Sequence, residues 1–238
     1  MPRNLIFIFA FFLFSLSGWA QNLYPSVDPS GIYTTADGEE IDEVTGSQSA
    51  PFHAHFYANP SNVGDYTARY EWKIWREGEE DDLLVHRFEE DMEYLFLESG
   101  SFCVQLYATF VNGNDTIAYP SEESNPIMIS ISDSKLEFPN AISPNGDGYN
   151  DVLRAKDGWQ SIVSFEAAVF NRWGTKLFSW SDLASGWDGT YNGSVVRDGV
   201  YFLVVNAKGA DGRKFNIRKT ISVLTTSRSE GGTEGGNE

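Results

Sequence analysis

The sequence predicts an all-β protein: two tandem β-sandwiches behind a cleaved leader. Three observations point there. Beyond residue 20 no stretch sustains a helical apolar period. Short apolar runs recur instead, bounded by Gly, Asn, Asp and Pro, which is the spacing of strands and turns in a sandwich. The chain has 238 residues, 41% hydrophobic and 15% aromatic. That is enough for two small cores and too apolar for a disordered chain.

The leader comes first. Residues 1–20 hold one early basic residue, Arg3, then a nearly continuous apolar run from Leu5 to Leu16. Gly18 and Ala20 stand at the minus-three and minus-one positions of a cleavage site before Gln21, the pattern of a secretory signal peptide. The run is shorter than the roughly 20 residues a membrane-spanning helix needs, so no membrane span is expected after cleavage.

The first sandwich is expected over 21–133. Its start, 21–48, is polar and Gly-rich, with one strand near 31–35. Phe52, Ala54 and Phe56 alternate with His53 and His55, giving one buried and one wetter face. Tyr70, Trp72 and Ile74 form another inward set, and a Trp on an early central strand suits an immunoglobulin-like sandwich. Trp75 should face the other way and be the exposed tryptophan. The acidic run from Glu77 to Asp82 reads as a solvated turn. Phe102, Val104 and Leu106 alternate with Cys103, Gln105 and Tyr107, and a strand over 126–132 closes the unit.

The second sandwich is expected over 134–224. Phe165, Ala167 and Val169 alternate before Asn171. Asn192-Gly193 is a hairpin turn, because both residues accept positive φ. Asp198-Gly199 and Asp211-Gly212 are further turns. Residues 200–205 are apolar on both faces, which predicts a central, doubly covered strand. The last strand spans about 213–224, and 225–238 is nearly free of apolar residues, a disordered tail. The reading is therefore two tandem immunoglobulin-like β-sandwiches after a cleaved signal peptide.

Three phrases of the second unit carry a resemblance. They are FPNAISPNGDGYND (138–151), VFNRWG (169–174) and WDGTYNGSVVRDGVY (187–201). In this order they resemble the gliding motility-associated C-terminal domain of Bacteroidota, the type B sorting domain of type IX secretion. Residues 45–132 resemble a PKD or immunoglobulin-like module more loosely. The resemblance implies export through the type IX translocon and retention at the cell surface on an outer-membrane β-barrel of the SprF/PorP-like kind. It implies a sorting and docking motif made of Pro139, Asn140, Pro144, Asn145, Gly146, Asp147, Gly148, Asn150, Asp151, Asn171, Arg172, Trp173, Gly174, Trp187, Asp188 and Gly189.

The formal charge of −17 argues against nucleic acid or an anionic membrane as the main partner, since both need clustered Lys and Arg. A single cysteine excludes an internal disulfide and a multi-cysteine zinc site. Asn145, Asp147, Asn150 and Asp151 crowd oxygen donors onto a Gly-rich turn. That is one way to present calcium ligands, and equally a way for Asn and Asp to cap the turn's own backbone. His53 and His55 share a strand face, which is more simply solvated than metal-binding. Arg172 is expected to bond a carboxylate or a turn carbonyl, and Trp173 and Trp187 to pack or anchor turns. No Gly-x-Ser-x-Gly elbow is present and Cys103 lies among core positions, so no enzyme is expected. A glycan-binding or adhesin module is the alternative, with Trp75 as the stacking ring.

Overall fold

The computed structural model describes residues 24–120 and 125–225. The expected leader at 1–20 and the tail beyond 225 lie outside the described residues.

The first unit contains β1 (Ser30–Thr34), β2 (Glu40–Ile41), β3 (Ser47–Gln48), β4 (Phe52–Tyr57), β5 (Thr67–Arg76), β6 (Leu83–Arg87), β7 (Met92–Phe96), β8 (Gly100–Asn112), β9 (Asp115–Tyr119) and β10 (Ile127–Ile131). One sheet runs β2-β1-β4-β7 and the other β3-β10-β8-β5-β6, with β9 paired to β8. The polar segment at 21–48 thus contributes three strands, and its Tyr33 stacks on Phe52 with centroids 5.6 Å apart. The predicted alternation holds on β4, where Phe52, Ala54 and Phe56 are fully buried. Trp72 fills the space between the sheets. Its ring lies 5.8 Å from Phe56 and its indole N–H donates to the Glu90 carbonyl at 2.9 Å.

One expectation fails here. Trp75 is only 7% exposed. It lies opposite Cys103 of β8 and Leu83 of β6, at a register shift between Ile74 and Trp75. Flanked by strands on both sides, a ring that points away from the inter-sheet core is still enclosed. Strand β8 is likewise covered on both faces, because Cys103 and Gln105 are buried along with Phe102, Val104 and Leu106.

The second unit contains β11 (Ala141–Ile142), β12 (Ile162–Phe170), β13 (Lys176–Trp180), β14 (Thr190–Tyr191), β15 (Ser194–Val195), β16 (Gly199–Gly209) and β17 (Lys214–Val223). Five strands form the sheet β11-β17-β16-β12-β13, and β14-β15 is a separate hairpin. The second layer of this sandwich is that hairpin with irregular segments, which bring Leu136, Phe138, Leu153 and Trp187 onto the sheet. The Asn192-Gly193 turn takes φ of 51° and 79°, as its residues require. Strand β16 is central, but it is not doubly covered. Leu203 and Val205 are fully buried, whereas Val200 is 54% and Phe202 42% exposed, because nothing in the second layer reaches the outer face of the sheet.

The two units touch through one end of the second sheet. Ala210, just past β16, belongs to the first hydrophobic core. Its N–H donates to the Ser161 carbonyl at 2.9 Å, and its carbonyl accepts the Ser99 N–H at 3.2 Å. Ser161 is fully buried at a positive φ of 48°. Its hydroxyl accepts the Ala50 N–H, and its own N–H donates to Ser49 Oγ at 2.6 Å.

Candidate docking surface

The loop after β11 is held by its own side chains. Asp151 Oδ1 accepts the N–H groups of Asn145 and Gly146, both at 2.9 Å, and Oδ2 accepts that of Gly148 at 2.8 Å. These bonds, led by Gly146 and Gly148, hold the Asp151 carboxyl below the usual carboxylate range. Asn145 Oδ1 accepts the Asp147 N–H, and Asp147 accepts from Tyr149 N–H and Asn145 Nδ2. Asn150, at φ 53°, gives its carbonyl to Ser143 N–H. Gly146 and Gly148 supply φ of 80° and 87°. The side-chain oxygens of Asn145, Asp147 and Asp151 are therefore engaged within the turn, and Asn150 is held there through its main-chain carbonyl. Among the described residues no three His, Cys, Asp or Glu side chains converge as a metal site.

The other motif residues are joined to this loop. Asn140 accepts from Lys219 Nζ, and its carbonyl accepts the Ser222 N–H, tying the segment to β17. Pro139 lines an open cleft of about 600 Å³ beside Asp151 and Arg154. Pro144 lies against Gly189, where an added Cβ would meet it at 2.7 Å. Trp187 is fully buried, as expected of an anchor, and donates its indole N–H to the Thr190 carbonyl at 2.8 Å. Asp188 accepts the Thr190 N–H and hydroxyl. The Trp187 ring is 5.5 Å from that of Tyr201.

Tyr201 in turn borders the turn between β12 and β13. Asn171 Oδ1 accepts the N–H groups of Trp173 and Thr175, and Gly174 adopts φ 80°. This rigid turn holds Trp173 outward, 74% exposed. The expected packing or anchoring role for this ring is not met, since a side chain at the tip of a tight hairpin has no layer above it. The Arg172 guanidinium lies over the ring, 4.2 Å from its centroid. A small hollow of about 260 Å³ joins these residues to Arg197 and Val200.

All three motif phrases thus meet at one end of the sheet, where β12 finishes, β16 starts and β17 finishes. The opposite end is the one fixed to the first unit. Between Ile162 and Phe170 the two ends are about 26 Å apart at the usual rise per strand residue. Most motif residues shape the turns, and ten of the sixteen are exposed. Sequence reasoning missed Tyr149, which is 77% exposed. Its signal was present: an aromatic between Gly148 and Asn150 has no strand alternation to bury it.

Elsewhere the chemistry is passive. His53 and His55 both face Glu93, at 3.8 and 3.5 Å. His86 pairs with Glu71 at 2.7 Å. Burial pushes the Cys103 thiol up, away from reactivity. With Trp75 buried, the ring assigned to sugar stacking is not available for it.

Residues 136–220 match the family model of the CHU_C type IX secretion signal domain. The chain therefore carries a type IX secretion signal, and it is an exported protein of the cell surface or medium. Dimeric latent PorU from Porphyromonas gingivalis is similar at 15% identity and a TM-score of 0.25, over 86% of this chain and 20% of that one. The tetra-tandem repeat in the extending region of a large adhesion protein is similar at 10% identity and a TM-score of 0.27, over 86% of this chain and 69% of that one. This chain spans a fifth of the PorU chain, and at these scores neither likeness carries an argument about it. No curated protein matches.

Proposed function

We propose that the second unit is both sorting signal and anchor. Its motif end docks on an outer-membrane β-barrel of the SprF/PorP-like kind after passage through the type IX translocon. The first unit then projects outward as a non-enzymatic adaptor. The observation that carries this reading is the gathering of the three motif phrases at the sheet end farthest from the first unit. There Trp173 and Tyr149 stand exposed on turns that their own side chains have made rigid. A rigid exposed Trp beside an Arg is the kind of anchor that dominates a protein–protein interface.

The test is a Trp173→Ala, Tyr149→Ala double variant of the full chain in its native host. Both side chains are exposed, so the melting midpoint should be unchanged. Surface labelling should fall, and crosslinking of intact cells should no longer recover a barrel. Undiminished surface retention with a barrel still crosslinked would overturn the docking assignment.

A further inference from the structure

We propose that the first unit binds an extended, basic peptide strand along an open edge of β5, a site separate from the docking end of the second unit. Strand β5 pairs with β8 along its whole length, from Thr67 opposite Val111 to Arg76 opposite Phe102. On its other side it pairs with β6 at only Trp72–Trp75. Strand β6 ends at Arg87, opposite Trp72, and the chain turns away at Phe88. Residues 67–71 therefore have no strand beside them on that side among the described residues.

A cavity of about 570 Å³ occupies this position. Ala68, Arg69, Tyr70 and Glu71 line one wall of it, and Phe88, Glu89 and Glu90 line the other. Successive side chains of a strand point to opposite faces. The lining also takes in Tyr107 and Thr109 of β8, opposite Glu71 and Arg69, so the cavity reaches from the open edge of β5 onto the adjoining face of the sheet. That edge carries main-chain donors and acceptors in the plane of the sheet, the template for an added strand. The open stretch contains no proline to blunt it. Four residues of a strand extend about 13 Å, which is the length of partner the edge accommodates.

The side chains select the occupant. Among the described residues the lining holds three carboxylates, Glu71, Glu89 and Glu90, against one cation, Arg69, with Lys73 and His86 paired to Glu71 and Arg87 to Glu89 at its margin. The surroundings amplify the sign. Residues 24–133 carry 22 Asp and Glu but four Lys and Arg, whereas 134–225 carry nine and eleven. Phe88 is 74% exposed at the mouth, a ring available to an apolar side chain or to a cation over its face. An added strand presents alternate residues to alternate sides, so the fitting sequence alternates Lys or Arg with apolar residues. A second copy of the chain is the poorer occupant, because its own first unit brings the same large negative charge.

The probe is a fluorescent hexapeptide alternating Lys and Val, titrated into the leader-free full chain and read by anisotropy and amide NMR. Binding should perturb the amides of residues 67–71. Methylating alternate peptide amides keeps the charge and removes main-chain donors, and should weaken binding by about tenfold or more. The Glu–Val analogue should not bind. Phe88→Ala and the Glu89→Lys, Glu90→Lys pair change exposed side chains, so the protein should stay folded and bind the probe severalfold more weakly. Equal binding of the methylated peptide would mean charge attraction alone, and wild-type affinity in both variants would place the peptide elsewhere. Either result overturns the proposal. So does a concentration-dependent dimer in sedimentation that Phe88→Ala abolishes, which would assign the edge to a second copy.

Discussion

Asp151 takes three backbone N–H groups and leaves its loop with little freedom. Its folded pKa is depressed, so its contribution is complete above the ordinary Asp value and is lost as pH falls through the lowered folded one. The amides of Gly146 and Gly148 should therefore hold their positions as pH falls through the usual carboxylate range and move only below it. NMR titration reads this, and movement of these amides within the usual range would contradict it. The same bonds bear on calcium. With the carboxylate oxygens already engaged, a melting midpoint measured with and without chelator should not move, and a drop with chelator would restore the cation to the loop. Gly189 is constrained twice, by a φ of 77° and by Pro144 at 2.7 Å from an added Cβ. Gly189→Ala should cost about 2 kcal/mol in urea unfolding, and a neutral effect would mean that the loop and the 187–189 turn are not pressed together.

At the scale of elements, β16 separates what a sequence can and cannot tell. Leu203 is fully buried and Phe202 is 42% exposed. Leu203→Ala should cost about 2–5 kcal/mol, and Phe202→Ala well under half of that. Comparable losses would show that the outer face of the sheet is covered. Alternation in the sequence identifies the core face of β4 and β12 correctly, because only one periodic set is apolar. It cannot say whether the other face is covered, since that depends on layers from distant parts of the chain. Hence Val200 and Phe202 read as buried and are open, while Trp75 reads as exposed and is enclosed. The Asn192-Gly193 hairpin was legible because its chemistry is local. The motif loop was legible as a turn for the same reason. The outward aim of Trp173 was not, because it follows from the tightness of the turn that Asn171 caps.

At the scale of the whole molecule, β16 runs from Gly199 at the motif end to Gly209 beside the first unit, about 33 Å at the usual rise. One strand therefore links the motif end of the second unit to the core of the first. The link ends in Ala210, packed in the first core, and in Ser161, whose main chain and hydroxyl bind Ser49, Ala50 and Ala210. A joint made of buried backbone hydrogen bonds and core packing couples the two unfolding equilibria. Calorimetry of the leader-free chain should thus show one transition. Ala210→Asp would place an unpaired carboxylate in the first hydrophobic core, an environment that strongly disfavours charge. It should split the transition in two while leaving the second core intact. The charge distribution then identifies the halves. The first unit repels itself, with 22 acidic against four basic side chains over 24–133. Added salt should raise its midpoint and leave that of the nearly balanced second unit in place. Two transitions in the unsubstituted chain would instead mean that the units are only tethered, and the docking proposed for the motif end would not fix the direction in which the first unit points.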